Sequence, residues 1–547
     1  MTTIAETDST HRRLKNRHVQ LIGIGGTIGT VSFVQLGTAL SKGGPGSLFI
    51  AFALWCVPVL FITNCTAEMV SYLPISSPFI RFAGRYCDEA LEVMAGWNFF
   101  FFEAVLVPFE LTAVNVVLHF WIKTEYSPAI TFAIQMVLYM MINLFAVKWY
   151  GESEFWLSIG KMLLALGLIC FTFVTMVGGN PLRDAYGFRF WNEPGAFAEY
   201  YSTGNKGRFL GFMACFIQAC YTITGPEYVS MAAGETAMPR TTMPKAYKSV
   251  FYRLTFFFIM GSLCLGIVVP YNDPELLLAI KTNKPGAAAS PYVIAMQRLQ
   301  IPVLPHIVNA MILTACFSAG NSYCFCASRT LYGLASDGHA PKFFKKCTKN
   351  GVPIWSTVAV LAVSCLAFLQ LGKTASVVLN WIINLVTASQ LINNCVICLT
   401  YIRFYNGLKV QGISRDTSPY KGFFQPYCAY IALVACAIMT FISGFFVFLD
   451  GNWDIPTFLF SYIMIPVNIF VFVTYKVFQK TKWKSIDESD FSSGKAAIDE
   501  YEEKEALRIQ HKELERERQF QHDLANGNIT IHQRIAKIWT QFVEFLF

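Results

Sequence analysis

Charge is what this sequence lacks. Only 14% of its 547 residues are Asp, Glu, Lys or Arg, against about 25% in a soluble domain, so water is not its main solvent. The first eighteen residues lack an apolar core, which excludes a cleavable signal peptide and leaves the first hydrophobic segment as the insertion signal. Cysteine is plentiful, at 16, but no paired CxxC spacing occurs, and Cys215, Cys220, Cys316, Cys324 and Cys326 fall within apolar runs. They read as small hydrophobic residues, so neither zinc nor a disulfide framework is expected. No nucleophile stands beside a base in a recognisable arrangement, and no glycine loop follows a strand within a βαβ unit. An enzyme, a catalytic residue, a bound metal and a cofactor are therefore not expected.

Hydrophobicity is abundant: 54% of residues are hydrophobic and 15% aromatic, with a mean hydropathy of +0.43. Apolar runs of about twenty residues recur, each able to cross a hydrocarbon core of about 30 Å. They predict an all-α polytopic membrane protein with twelve spans, near 19–41, 47–72, 94–121, 128–147, 153–178, 209–233, 248–270, 302–334, 355–371, 376–402, 427–449 and 457–478. Residues 1–18 then form an N-terminal tail, 19–478 the twelve-span domain and 479–547 a C-terminal tail.

Lysine and arginine set the expected orientation. Arg12, Arg13, Lys15 and Arg17 precede span 1; Arg240, Lys245 and Lys248 follow span 6; Lys342, Lys345, Lys346 and Lys349 follow span 8; Lys476, Lys480, Lys482 and Lys484 close span 12. With twelve spans these groups share one side, so both termini are expected in the cytoplasm. The loop 179–208, with Arg183, Arg189, Lys206 and Arg208, runs against that bias. The net charge of +8 follows from topology and calls for membrane lipid rather than nucleic acid as partner.

Two spans carry their own interruptions. Span 1 reads "LIGIGGTIGTVSF", with Gly23, Gly25, Gly26 and Gly29 near mid-membrane; each glycine costs roughly 1 kcal/mol in a helix interior. Span 6 reads "CYTITGPEYVSMAAGE", with Thr224, Gly225, Pro226 and Glu227 at its centre, where proline removes a donor and clashes with the preceding turn. Unwound backbone survives at that depth only where it is buried in protein or lines a cavity. Breaks in the first helices of two five-span halves point to a transporter's solute site. Close packing of small residues is the simpler reading of the span 1 glycines.

Several longer stretches carry a resemblance: "LKNRHVQLIGIGGTIGT", "EMVSYLPISSPF", "PFELTAVNVVLHFW", "NLFAVKWYGESEFWLSIGK", "AAGETAMPR", "HIVNAMILTACFSAGNSYCFCASRTLYGLASDGHAPKFF" and "GISRDTSPYKGFFQPY". Over nearly its whole length the chain resembles the fungal amino-acid permeases of the amino acid-polyamine-organocation superfamily. The resemblance implies a LeuT-like arrangement in which spans 1–5 and 6–10 form an inverted repeat with helices 1 and 6 broken. It also implies the plasma membrane and proton-coupled symport. "FALWCVP" and "SSPF" are similar to a branch associated with carnitine and polyamine uptake and with regulation of other transporters.

In the family the amides around the span 1 break hold the substrate carboxylate, which maps the solute site onto Gly25, Gly26, Thr27, Gly29, Thr30 and Val31. The family pattern G-T-G-L-F-V-G is here Gly29, Thr30, Val31, Ser32, Phe33, Val34, Gln35, and valine restricts the backbone where glycine does not. Ser77 stands for a family glycine, Met238 for an asparagine and Glu103 for an aromatic residue. Span 6 adds Tyr221, Thr224, Gly225 and Glu227 to the expected site, whereas Glu235 is expected to pair with a basic loop residue. Asn321 and Ser322 suit either support of span 8 or ordinary interhelical bonding.

Glu103 and Glu110 interrupt the apolar run "NFFFFEAVLVPFEL". They lie two turns apart on one helix face, about 10 Å along the axis, with Phe99, Phe102 and Phe109 near the same stripe. An ionised side chain at this depth costs about 2.5–3.5 kcal/mol on insertion scales. Glu110 is read as a buried structural acceptor. Glu103 is read as a partner for a cationic or quaternary-ammonium solute, with aromatic faces adding about 0.5–2 kcal/mol each; a protonated Glu103 bonded between helices is the competing reading. Lys161, alone within span 5, matches a family lysine that takes the place of a sodium ion beside broken span 1, which makes it the expected proton-coupling residue. A fixed salt bridge to a nearby acid is its alternative.

Residues 498–525 are charged nearly all round and predict a solvated helix or a connector. Ile531, Ile535, Ile538, Phe542 and Phe545 then recur at helical spacing, as in an amphipathic helix at a membrane surface. Such a tail suits regulatory proteins as partners and supports a second functional class, a nutrient sensor that binds solute with little transport. Val31 and Gln35 favour the sensor; Lys161 and the span 8 motif favour a transporter of amino acids, polyamines or carnitine.

Overall fold

A computed structural model describes residues 12, 14, 16–27, 29, 31–122, 126–145, 147–223, 226–282, 290–348, 352–371 and 375–525. Among them the regular structure is helical, with two isolated backbone bridges and no strand. The first part of the chain forms α1 (Asn16–Thr27), a π-helical turn (Val31–Gln35), α2 (Leu36–Tyr72), α3 (Pro78–Tyr86), α4 (Glu89–Leu118), α5 (Pro128–Phe145) and α6 (Val147–Met176). The middle forms α7 (Gly204–Thr222), α8 (Pro226–Met231), α9 (Pro239–Val268), α10 (Pro274–Thr282), α11 (Pro291–Arg298) and α12 (Leu304–Ser336). Next come α13 (Ile354–Ser364), α14 (Ala375–Val410), α15 (Tyr427–Ile442), α16 (Ile455–Tyr462), α17 (Met464–Gln479) and α18 (Lys495–Ala525).

Proline opens many of these helices, where its fixed φ suits the first turn and its missing N–H is not needed. Asp88 caps α4 by accepting the Ala90 N–H at 2.9 Å. Met238, in place of the family's asparagine, offers no side-chain cap to α9, and the Arg240 N–H in its first turn donates instead to Glu502 Oε1 of the tail at 2.8 Å. Met238→Asn is therefore expected to raise thermal stability by about 0.5–2 kcal/mol, read as a higher unfolding midpoint in detergent. Ser77, the other departure at a helix start, sits in the left-handed region with φ 47°, the backbone state that the family's glycine adopts freely.

Eight helices among the described residues are long and apolar enough to cross a membrane, or nine if the pair α16 and α17, bent by 45°, is one span. The difference from the expected twelve has local causes. Gly44, at φ 79° and ψ 172°, folds the long helix α2 inside its length, and a Cβ there would stand 2.8 Å from Ala196 O and Ala198 N. The helices at 128–144 and 427–442 are apolar but shorter. The expected spans 9 and 10 are both among the eight, although span 9 changes from α-helix to a 3-10 helix at Cys365 and span 10 continues as far as Val410.

The core runs along the contact of α4 with α12, the most extensive pairing in the bundle, and along those of α2 with α9 and α7. Pinned beneath one end of it is the segment 411–425. Buried Glu68 accepts Arg415 Nε at 2.6 Å, Arg415 Nη2 at 2.7 Å, the Tyr401 hydroxyl at 2.7 Å and the Gly422 N–H at 2.9 Å. The hydrogen bond to Glu68 holds the Arg415 guanidinium above its usual range. Arg415→Gln strands that carboxylate and is expected to cost about 3–5 kcal/mol, checked by thermal unfolding of the full chain.

The C-terminal tail closes over the same end. The Lys484 N–H donates to Cys87 O at 2.8 Å, and Gln411 Nε2 donates to Asp487 O and Ser489 O at 2.9 and 2.8 Å. Phe491 is buried against Tyr72, Tyr86 and Phe404, and Arg240 pairs with Asp499 and Glu502. Residues 498–525 are thus helical, anchored at their start and exposed beyond it. The expected amphipathic helix after residue 528 lies outside the described residues.

Candidate functional site

Both expected interruptions are present. Helix α1 ends at Thr27 and helical geometry resumes in the turn at Val31; α7 ends at Thr222, Ile223 is extended, and α8 starts at Pro226. The break in span 1 lies later than its glycines suggested. Gly25 and Gly26 remain helical, as does Gly23, whose missing Cβ admits Val229 of α8: a Cβ there would stand 2.7 Å from Val229 Cγ2. Close packing is therefore the role of Gly23, and the opening begins beyond Thr27, whose hydroxyl donates to Gly23 O at 2.8 Å. The C-terminal end of a helix such as α1 suits a cation, while the first amides of the following turn suit an anion. Thr30, Thr224 and Gly225 lie outside the described residues. Val31 opens the π-helical turn.

Glu110 stands at this opening. A Cβ on Gly29 would lie 3.0 Å from Glu110 Oε1 and 3.1 Å from Ala319 Cβ, and one on Gly320 would lie 2.2 Å from the Tyr139 hydroxyl and 3.1 Å from Glu110 Cβ. The bend at Gly29, α4, α5 and α12 thus meet around Glu110. Tyr221 faces it from α7 with Phe109 edge-on at 6.0 Å, and its buried hydroxyl makes no hydrogen bond. Glu110 is buried, as expected of a structural acceptor, and its carboxyl also borders the break in span 1.

Two turns away, Glu103 is fully buried, so it faces the bundle and not lipid. Neither carboxylate oxygen completes a hydrogen bond, although the Tyr228 hydroxyl is directed toward it and buried Glu227 is close enough to interact with it electrostatically. The aromatic groups beside it differ from those expected. Phe99 packs edge-on against Phe79 at 4.9 Å and stacks on Phe102 at 5.9 Å, while Tyr228 and Tyr323, with centroids 6.1 Å apart, face the acid. Helical spacing identified the stripe but not which rings their neighbours would hold.

Lys161 is buried and pairs with buried Glu154 at 3.9 Å. Glu154 Oε1 also accepts Ser318 Oγ of α12 at 2.8 Å and Ser158 Oγ at 3.4 Å. Ser158 Oγ donates to Leu21 O of α1 at 3.1 Å. The ammonium is therefore tied to the first half of broken span 1 and, electrostatically, to Glu110. Glu154 was missed by sequence reasoning, although it precedes Lys161 by the same seven residues that separate Glu103 from Glu110. Asn321 accepts Asn143 Nδ2 at 2.8 Å, an ordinary interhelical bond. Glu235 lies 3.9 Å from Arg329 of α12, to which the short α8 brings it close.

Two cavities flank these acids. One of about 150 Å³ is bordered by Gln35, Lys42, Val116, Leu276 and Asn380. The other, of about 400 Å³, lies at the end carrying the N-terminal segment and is bordered by Arg81, Arg85, Glu92, Glu235, Arg329 and Asp337. Beside that second cavity, at Glu235, Leu14 N–H donates to Glu235 O at 2.9 Å and Leu14 O accepts the Ala237 N–H at 3.0 Å.

Comparison with known proteins agrees with this arrangement. The amino acid permease family model matches residues 18–488. The chain is 51% identical over 501 residues to the general amino acid permease AGP2 of Saccharomyces cerevisiae, covering 90% of this chain and 84% of that one. It is 37% identical over 516 residues to a proline-specific permease of Emericella nidulans, covering 94% of each. Its fold is similar to that of a manganese transporter of Eremococcus coleocola, with a TM-score of 0.51 at 10% identity over 87% of this chain and 98% of that one.

Proposed function

Because this chain belongs to the amino acid permease family, we propose that it is a proton-coupled symporter of the plasma membrane, with both termini cytoplasmic, whose solute sits among the acids between its two interrupted helices. The permease family fixes the broad activity as membrane transport of amino acids, and the protein is not an enzyme. Glu103 carries the finer reading: a buried carboxyl with no completed hydrogen bond, beside a second buried acid, Glu227. Buried polar groups without partners are costly, and intramembrane acids are kept where they bind or relay charge. A solute ammonium placed between Glu103, Glu227 and the last carbonyls of α1 removes that cost, and a solute carboxylate suits the amides after the break. Two buried acids close enough to interact favour solutes with positive charge, which extends the range to basic amino acids, polyamines and carnitine.

Lys161 is the coupling group. It joins Glu154 on α6, Ser318 on α12 and, through Ser158, the backbone of α1, so a change in its charge alters how α1 is held. The test is uptake of labelled leucine, spermidine and carnitine into proteoliposomes under an imposed pH gradient. Accumulation of leucine that protonophore abolishes supports the reading, and competition by spermidine or carnitine supports the wider range. A second reading, a solute sensor, is favoured by the tail fastened through Phe491 and Arg240; it predicts saturable binding with no accumulation.

A further inference from the structure

The cavity of about 150 Å³ has two unlike walls. Gln35, Thr38 and Lys42 border it, and their spacing of three and four residues places them on one helix face, in the half of span 1 beyond its break. Val116 of α4, Leu276 of α10 and Leu379 of α14 form the other wall. Gly37 lets α10 close in, since a Cβ there would stand 3.0 Å from Leu276 Cδ1. The polar wall is short of partners. Lys42 Nζ lies 5.6 Å from the centroid of the Tyr200 ring and close enough to the Cys215 thiol to interact electrostatically, but it forms no hydrogen bond or ion pair with a described residue. The carboxamide of buried Gln35 has no hydrogen bond to a described residue either. A half-buried ammonium without a countercharge is costly, and no described residue bordering the cavity is acidic.

We propose that this cavity is an outer staging site, which holds the carboxylate of an arriving small apolar amino acid on Lys42 and Gln35 and its side chain against Leu276 and Leu379. The inference rests on the reading of the chain as an amino acid carrier, which makes the cavity the approach to the solute site: Gln35 belongs to the turn that follows the first break. Val116 borders this cavity and Glu92 the larger one, near opposite ends of α4, so the staging site lies at the end of the bundle away from the N-terminal segment. Lysine supplies a charged donor and glutamine an amide donor, a set that suits a carboxylate. The apolar wall suits a branched side chain, and a space of about 150 Å³ is what benzene occupies in an engineered protein cavity. With no acid at hand, this site reads carboxylate and side chain and is blind to the ammonium, which the acids of the central site read instead. A polyamine, with charge of the same sign as Lys42, gains nothing here.

The test is maleimide labelling of Asn380→Cys, an exposed position bordering the cavity, in the detergent-purified full-length chain, read at position 380 by peptide mass spectrometry. L-valine and 3-methylbutanoate, which is valine without its ammonium, are expected to slow labelling at similar concentrations, whereas valinamide and putrescine are not. Acetate, which lacks the branched chain, is expected to need about tenfold more than 3-methylbutanoate. Adding Lys42→Met, or separately Gln35→Leu, is expected to raise the protecting concentration of 3-methylbutanoate about tenfold; Glu103→Gln is expected to leave it unchanged. Two separate substitutions keep the test readable if one of them fails to fold. Protection by valine but not by 3-methylbutanoate, equal protection with and without Lys42→Met, or protection by valinamide or acetate equal to that by 3-methylbutanoate overturns the proposal. Valine uptake into proteoliposomes separates the two readings. Uptake without protection by 3-methylbutanoate removes the outer site alone, and protection without uptake removes the transport reading alone.

Discussion

Lys161→Met is expected to abolish proton-driven accumulation while solute binding persists. With one coupled proton, the wild-type protein accumulates solute about tenfold per pH unit of imposed gradient; the variant equilibrates at a ratio of about one. The argument is geometric. Lys161 is the cation held against Glu154, and their shared partners reach α12 and the carbonyl of Leu21 in α1. Its removal leaves Glu154 buried without a countercharge, which alone costs about 3–5 kcal/mol. The informative variant is therefore Lys161→Met with Glu154→Gln, which removes both charges. Retained pH-driven accumulation in the folded double variant assigns the pair to structure alone.

Glu103→Gln gives the second large effect. Affinity for ammonium-bearing solutes falls about 10- to 100-fold, because a hydrogen bond to a charged group contributes about 1.5–3 kcal/mol. Thermal stability of the empty protein is unchanged or higher, because the carboxyl that is replaced completes no hydrogen bond to a described residue. A carboxyl that only joins helices predicts the opposite pair of results, with lower stability and unchanged affinity. Equilibrium binding of labelled solute and an unfolding curve on the same preparation decide between them.

The breaks in spans 1 and 6 were legible because glycine and proline act through the backbone itself, wherever the chain then packs. The position of the first break was not, because Gly23 is fixed by Val229 across a helix contact that periodicity cannot show. Glu103 announced itself as a charge in an apolar run, and its burial followed. Glu110 looked the same in sequence, and only the contacts of Gly29 and Gly320 reveal that it borders the opening. Glu154 was hidden in the short polar stretch "GESEF", although its two-turn spacing from Lys161 was a usable signal. The clamp of Arg415 on Glu68, across 347 positions of sequence, and the seating of Phe491 arise from tertiary packing alone. The missing cap of Met238 itself was visible in advance as a departure from the family, whereas the acceptor that Glu502 brings to the Arg240 N–H was not.

The most direct test of the account is a structure of the protein with a bound amino acid. The predicted result is solute between the end of α1 and Glu110, its ammonium toward Glu103 and Glu227 and its carboxylate toward the turn that follows Gly29. Solute confined to the peripheral cavities, with the space between the two interrupted helices closed and unchanged, contradicts it.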